Sequence, residues 1–317
     1  MAEAYGKLTN TPGVAFVTRG PGATNASSGI HIARQDSTPL VMFVGQIARG
    51  HRDREAFQEV DYRAMFAPLA KWVAEVDDTA RLPEYVSRAF SLAMAGRPGP
   101  VVLALPEDML SACADVPDMT LSTAALPDLS ISAQRIMSQL SAAKSPLVIV
   151  GGPLRTASAS AALAAFAAAA ALPVVTTFRR QDNLDNRHPS FCGDLNVGLN
   201  PTLAKRLQAA DCILALGTRL GDIATQGYTL LDPTAHGKTL IHVHADADEL
   251  GRLYAPTLQV NAPAPAMIEA LAQIKSDPTA AELTKAMRAE YEEWRTPQPT
   301  PGDVQLAQVI AHLSATL

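Results

Sequence analysis

The sequence interrupts its apolar runs with small and polar residues that are equipped for ligand chemistry. TRGPGATN at 18–25 follows the β-forming run 13–18 (GVAFVT) and opens an amphipathic stretch that reaches Arg34. Gly20, Pro21 and Gly22 permit a tight turn and let the backbone come close to a bound group. Asn25 then offers an amide near the start of the helix. On these residues alone the motif is either a ligand-facing turn or a plain turn whose asparagine caps a helix. Gln46 ends a second apolar run (40–45, LVMFVG) and, on its own residues, reads as a capped strand end. Phe57, in EAFQEVD at 55–61, reads on its own as ordinary core.

A second group lies downstream. Gly151 and Gly152, GDLNVG at 193–198, GTRLGD at 217–222 and HVHAD at 242–246 all fall at or after strand ends, where open parallel sheets bind ligands. Arg219 can pair with a phosphate and Asp246 can accept from a ribose hydroxyl. Gly151, Gly152, Gly217, Arg219 and Asp246 therefore form a candidate nucleotide crevice. There is no full GxGxxG, and Pro153 stands where a flexible glycine would serve such a loop. His242 and His244 share one strand face but have no third ligand at a recognisable spacing, so no metal site is assigned. Arg49, His51, Arg52 and Arg54 either steer an anionic substrate or form a solvated loop with Asp53, Glu55 and Glu59 as counter-charges.

These residues need strands and helices to position them. Apolar runs at 13–18, 40–45, 100–105, 146–150, 173–178, 212–216 and 239–245 read as buried strands. Between them, residues 79–95 put Leu82, Val86, Ala89, Phe90 and Ala93 on one helical face, and 157–171 form an Ala-rich helix. Asp246 and Glu249 predict a capping box for a further helix. Strands alternating with helices imply an α/β fold whose parallel sheets are flanked by helices on both faces. Residues 113–130 and 296–302 read as linkers, 279–295 as a charged surface helix, and 303–317 as one amphipathic helix.

Composition narrows the function classes. With 48% hydrophobic and 18% charged residues the 317-residue chain is globular. Its net charge of −5 argues against nucleic acid or an anionic membrane as partner. Cys113, Cys192 and Cys212 are too scattered for a disulfide framework or zinc. The longest apolar stretch is too short to span a bilayer, and no signal peptide is evident, so a cytoplasmic location is expected.

Taken in order, GPGATN, GIHIARQDSTPLVMFVGQ, EAFQEVD, PLAKWV (68–73) and GRPGPVVLALPEDM (96–109) resemble the pyrimidine-binding domain of thiamine-diphosphate-dependent enzymes of the acetolactate synthase and pyruvate oxidase type. The pattern to about 295 resembles the Rossmann-like central domain of the same family. The resemblance implies that Pro21, Gly22 and Asn25 lie against the aminopyrimidine ring, that Gln46 faces the reacting centre, and that Phe57 and Gln58 line the substrate side. It also implies a parent that decarboxylates a small 2-oxo acid, uses magnesium, and works as a homodimer or tetramer. In relatives the central crevice holds FAD or an adenine nucleotide such as ADP, or is empty; the departures above favour a vestigial, structural site.

Two elements of the family are not found. The activating glutamate belongs a few residues before the segment matching 1–6, and Glu3 is no substitute. The Gly-Asp-Gly motif for magnesium and diphosphate fails at its third position in GDL (193–195), GDI (221–223) and GDV (302–304). The expected organisation is an incomplete pyrimidine-binding domain (1–112), a linker (113–130), a central domain (131–295), a second linker (296–302) and a stub of a C-terminal diphosphate-binding domain (303–317). On this expectation the chain is a fragment, inactive alone. The alternative is a stand-alone, non-catalytic nucleotide-binding or interaction module.

Overall fold

The computed structural model describes residues 1–119, 125–152, 154 and 156–316. Pro153, part of the expected loop, and residues 120–124 of the first expected linker lie outside the described residues, as does Leu317.

The first layer comprises α1 (Ala2–Thr9), β1 (Gly13–Val17), α2 (Pro21–Asp36), β2 (Leu40–Gln46), α3 (Tyr62–Phe66), β3 (Trp72–Glu75), α4 (Leu82–Met94), β4 (Pro100–Pro106) and α5 (Glu107–Leu110). Its four strands are parallel, in the order β1-β2-β4-β3. Runs such as LVMFVGQ and PVVLALP are apolar throughout because both faces of the central strands are covered. On one face Met42, Val44 and Val102 pack against Ala23, Ile30, Tyr62 and Phe66. On the other, Val41, Phe43 and Leu103 pack against Ala89 and Ala93 of α4. Edge strand β1 is different: Val14 is half-exposed and Phe16 is 73% exposed, stacked on Phe43 at 4.7 Å.

The second layer follows α6 (Ser130–Ala142): β5 (Pro146–Val150), α7 (Ala157–Ala169), β6 (Val174–Thr177), β7 (Phe191–Leu195), α8 (Pro201–Ala209), β8 (Cys212–Leu216), β9 (Thr239–His244), β10 (Leu258–Asn261), α9 (Ala264–Ala272) and α10 (Ala281–Arg295). Six parallel strands run in the order β10-β9-β8-β5-β6-β7. The direction of winding reverses between β5 and β8, the place where open parallel sheets form a crevice. Both sheets are parallel and helix-flanked, as the alternating pattern predicted.

One local expectation is corrected. Asp246 and Glu249 do not begin an α-helix. Asp246 caps only a 3-10 turn, Ala247–Glu249, accepting from the Asp248 amide, and Glu249 is committed elsewhere. Residues 306–316 do form a helix, α11 (Leu306–Thr316), but none of its residues is buried. No helix among the described residues is long and apolar enough to cross a membrane.

Candidate active site

The turn between β1 and α2 is the centre of the site. Gly20 is the N-cap of α2 with φ +59° and ψ −113°, a conformation that disfavours any side chain. A Cβ there would also lie 2.8 Å from the Gln58 Cβ, so glycine is what lets the two segments touch. The Gly20 amide donates to the Tyr62 hydroxyl at 2.7 Å, and Tyr62 is 2% exposed. Burial raises the Tyr62 phenol above its ordinary range and keeps it neutral. On the other side of the turn, Arg19 pairs with Glu107 at 2.6 Å. Pro21 occupies the first turn of α2, where its missing N–H costs no hydrogen bond. Asn25 sits one turn inside the helix and is exposed; it is not the cap.

Gln46 ends β2 and is buried, with its amide bonded at both nitrogen and oxygen. Its Nε2 donates to the Val60 carbonyl and its Oε1 accepts from the Ile47 amide, both at 2.9 Å. It therefore acts as a strut between the strand end and the loop carrying Phe57 and Gln58. In that loop Asp53, Glu55 and Gln58 hold positive φ of 60°, 56° and 66°. The loop is fastened by Glu59, whose carboxylate accepts from the Asp53 amide at 2.8 Å and the Ala56 amide at 2.9 Å. These donors hold the Glu59 carboxyl below its usual range. Phe57, at 79% exposure, is not core; its ring stands in solvent.

The basic cluster finds different counter-charges from those expected. Arg49 is held by Asp108 through its amide and Nε (3.0 and 2.8 Å) and by the Asp77 carbonyl, and Arg52 pairs with Glu75. Gln46, Arg52, Arg63, Glu59 and Glu75 line a polar cavity of about 360 Å³ beside the loop.

Three segments distant in sequence thus converge: the 18–25 turn, the end of β2 and the 53–62 loop. Their small, amide and aromatic groups suit the pyrimidine side of thiamine diphosphate, since a neutral polar edge holds the ring without adding charge. Gly22 likewise lets the turn pack tightly, as a Cβ there would lie 2.8 Å from the Thr18 methyl group. Among the described residues no cluster of three or more His, Cys, Asp or Glu is placed to hold a metal ion. The set offers the residue types that the pyrimidine side of such a cofactor needs.

At the second sheet's switch point, the glycines pack on one another. A Cβ on Gly152 (φ +66°) would sit 2.4 Å from the Gly217 carbonyl oxygen, and one on Gly217 (φ +66°) 2.7 Å from that of Gly151. Their smallness serves this crossing of two loops. Two cavities flank it, of about 360 and 280 Å³; Gly217 and Ser37 border both. Gly152 and Arg219 line the first and Gly151 the second, while Asp246 lines neither. Arg219 donates to the Gln35 carbonyl at 3.3 Å, and Arg179 pairs with Asp36 at 3.2 Å. These cations meet the C-terminal end of α2, where the helix dipole favours them. His242 is buried and bonded to the Thr218 carbonyl at 2.8 Å, and His244 to the Asp246 amide at 3.0 Å. Burial lowers both histidines below their ordinary range.

Sequence reading missed Tyr62, Arg97 and Lys71. Arg97 joins the two layers through a buried pair with Glu249. Lys71, pushed down to about 8 by burial, lies near Asp246, Arg34 and Arg97. Arg97 and Lys71 lie inside the conspicuous segments GRPGP and PLAKWV, and Tyr62 directly follows EAFQEVD; nothing else hinted at them.

Residues 1–65 match the family model "Thiamine pyrophosphate enzyme, N-terminal TPP binding domain", and residues 133–271 match "Thiamine pyrophosphate enzyme, central domain". The acetolactate synthase large subunit of Lactococcus lactis is 30% identical over 300 residues, covering 92% of this chain and 50% of that protein. The isozyme 3 large subunit of acetolactate synthase from Escherichia coli is 30% identical over 308 residues (94% and 53%). Its isozyme 2 counterpart is 30% identical over 312 residues (98% and 56%). The chain spans about half the length of the curated relatives it matches.

Proposed function

The chain belongs to the thiamine pyrophosphate enzyme family, and from that premise we propose that it forms the pyrimidine-side wall of an active site of the acetolactate synthase kind. The reading is carried by the convergence of the Gly20–Pro21 turn, Gln46 and the Phe57–Gln58 loop around one opening. When bound, thiamine diphosphate supplies the electron sink for decarboxylating a 2-oxo acid. The residues of this chain hold and orient. Pro21, Gly22 and Asn25 contact the ring, and Phe57 presents an apolar face to the substrate. Gln58 lies between the two segments, and Gln46 braces the loop from beneath.

On this proposal the first sheet and its helices (1–112) are the pyrimidine-binding unit and residues 131–295 the central unit. The parent is a cytoplasmic carboligase or decarboxylase acting on a small 2-oxo acid. Magnesium and the diphosphate are held by residues outside this set, as is the acid that activates the ring. The exposed Phe16 and Val14 on edge strand β1 favour an oligomeric parent, because apolar surface of this kind is normally covered.

Isothermal titration of the chain with thiamine diphosphate and magnesium tests the reading. Weak, saturable binding that Asn25→Ala and Gly22→Val reduce supports it; no heat in the wild type sinks it. A second reading, a nucleotide-binding module, is favoured by the cavity lined by Arg179, Arg219, Thr177 and Thr218. It requires ADP or FAD to bind this chain and thiamine diphosphate not to.

A further inference from the structure

The two walls of the site are joined by one buried hydroxyl. Tyr62 opens α3, immediately after the loop that carries Phe57 and Gln58. Its ring is packed among Ala23, Val44 and Phe66 in the first core, so the phenol oxygen has little freedom. That oxygen accepts the Gly20 amide at 2.7 Å, at the residue whose positive φ sets the direction of the turn before Pro21. Gln58, seated on Gly20, belongs to the same loop. The far side of the loop is fixed by Gln46 and by the two amides that Glu59 accepts.

We propose that Tyr62 is a positioning residue that ties the substrate-side loop to the cofactor-side turn, so that order in one wall imposes order on the other. It touches neither ligand itself. Its hydroxyl removes the freedom of Gly20, and its backbone anchors the end of the 53–61 loop. Because coupling between sites is reciprocal, a group that settles against Pro21 and Asn25 quiets Phe57 and Gln58, and the reverse holds equally. The inference rests on the assignment of the two walls made above, but the tether itself can be tested without it.

The experiment is amide hydrogen exchange on the whole chain, wild type against Tyr62→Phe, with and without thiamine diphosphate. Without ligand, Tyr62→Phe is expected to speed exchange at residues 18–24 by about tenfold, the scale for losing one buried hydrogen bond. Exchange in β2 and β4 should rise by no more than that factor, and the melting midpoint should fall only by the matching few degrees. Unchanged exchange at 18–24 overturns the tether. With thiamine diphosphate, the wild type should gain protection at both 18–25 and 56–62, and the variant at 18–25 alone. Protection that still reaches 56–62 in Tyr62→Phe overturns the coupling. A wild type that thiamine diphosphate does not protect overturns the proposed function, while the ligand-free comparison still decides the tether. Gln58→Ala, which leaves the hydroxyl in place, must leave Gly20 slow to exchange. If Tyr62→Phe fails to fold, fast exchange at Gly20 in Gln58→Ala overturns the tether.

Discussion

Arg97 donates to Glu249 across 3.0 Å, and both side chains are only 8% exposed although 152 residues separate them. The same guanidinium donates to the Ser37 hydroxyl at 2.9 Å and the Arg34 carbonyl at 2.6 Å. One side chain thus joins the end of α2, the loop after α4 and the turn after β9. Burial lowers Arg97 to about 10, yet its partners keep it charged at neutral pH.

Removing one member of this pair should hurt far more than removing both. Glu249→Gln leaves a buried cation without its counter-charge and should cost about 3–5 kcal/mol, measured by urea denaturation. The double variant Arg97→Met, Glu249→Leu should recover most of that loss. Equal destabilisation in the single and double variants would show that the pair contributes packing and little else.

Lys71 gives the joint a pH dependence of definite sign. Its folded-state value is near 8, below the ordinary 10.5, first because of burial and then through Arg34 and Arg97, opposed by Asp246. Between those two values the unfolded chain binds more protons, so the Lys71 contribution makes the fold more stable as pH rises through that window. Urea midpoints of wild type minus Lys71→Met, taken at pH 7.5 and 9.5, should shift in favour of wild type at the higher pH. A difference that does not change with pH would refute the assignment.

Gly152→Ala should destabilise the protein by about 1–3 kcal/mol from its positive φ alone. The close approach to the Gly217 carbonyl adds to that cost. Gly221, with open space around its Cβ position and no such φ, should accept alanine with a change of about 0.5 kcal/mol or less. Chemical denaturation of the two variants separates a backbone requirement from a merely glycine-rich loop.

The carboxylate of Glu59 should titrate below 4.5, the ordinary value, because the Asp53 and Ala56 amides donate to its ionised form. For a lowered acid, the stabilisation is present above the unfolded value and disappears as pH falls through the folded one. In an NMR titration the Ala56 amide should therefore follow the Glu59 midpoint downward from 4.5, and Glu59→Gln should abolish that response. A Glu59 midpoint at or above the ordinary value would contradict the clamp.

Phe57→Ala should leave the melting midpoint almost unchanged, within about 0.5 kcal/mol, since the ring is exposed. A large loss of stability would mean the ring is buried in solution.

The strands of both sheets show how far local pattern reaches. Runs at 40–45, 100–105, 146–150 and 212–216 were legible because strands covered on both faces are apolar at every position, whatever their neighbours. Edge strands β3, β7 and β10 (WVAE, FCGDL and LQVN) escaped notice because they are short and mix polar with apolar residues. The motifs at 18–25, 46 and 55–61 could be picked out as unusual, but the sequence left each with two readings.

What the sequence determined by itself was the α/β class, the family and which segments are chemically unusual. The tertiary structure decided what those segments do to one another. It replaced Asn25 with Gly20 as the helix cap and turned Gln46 into a strut. It gave Arg49 and Arg52 the partners Asp108 and Glu75, and it seated Tyr62 on Gly20. The physical reason is one of range. Burial and backbone preference act between neighbours and leave a local trace, whereas a hydrogen bond between residues 42 positions apart depends on how parallel strands and their crossovers bring distant chain ends together.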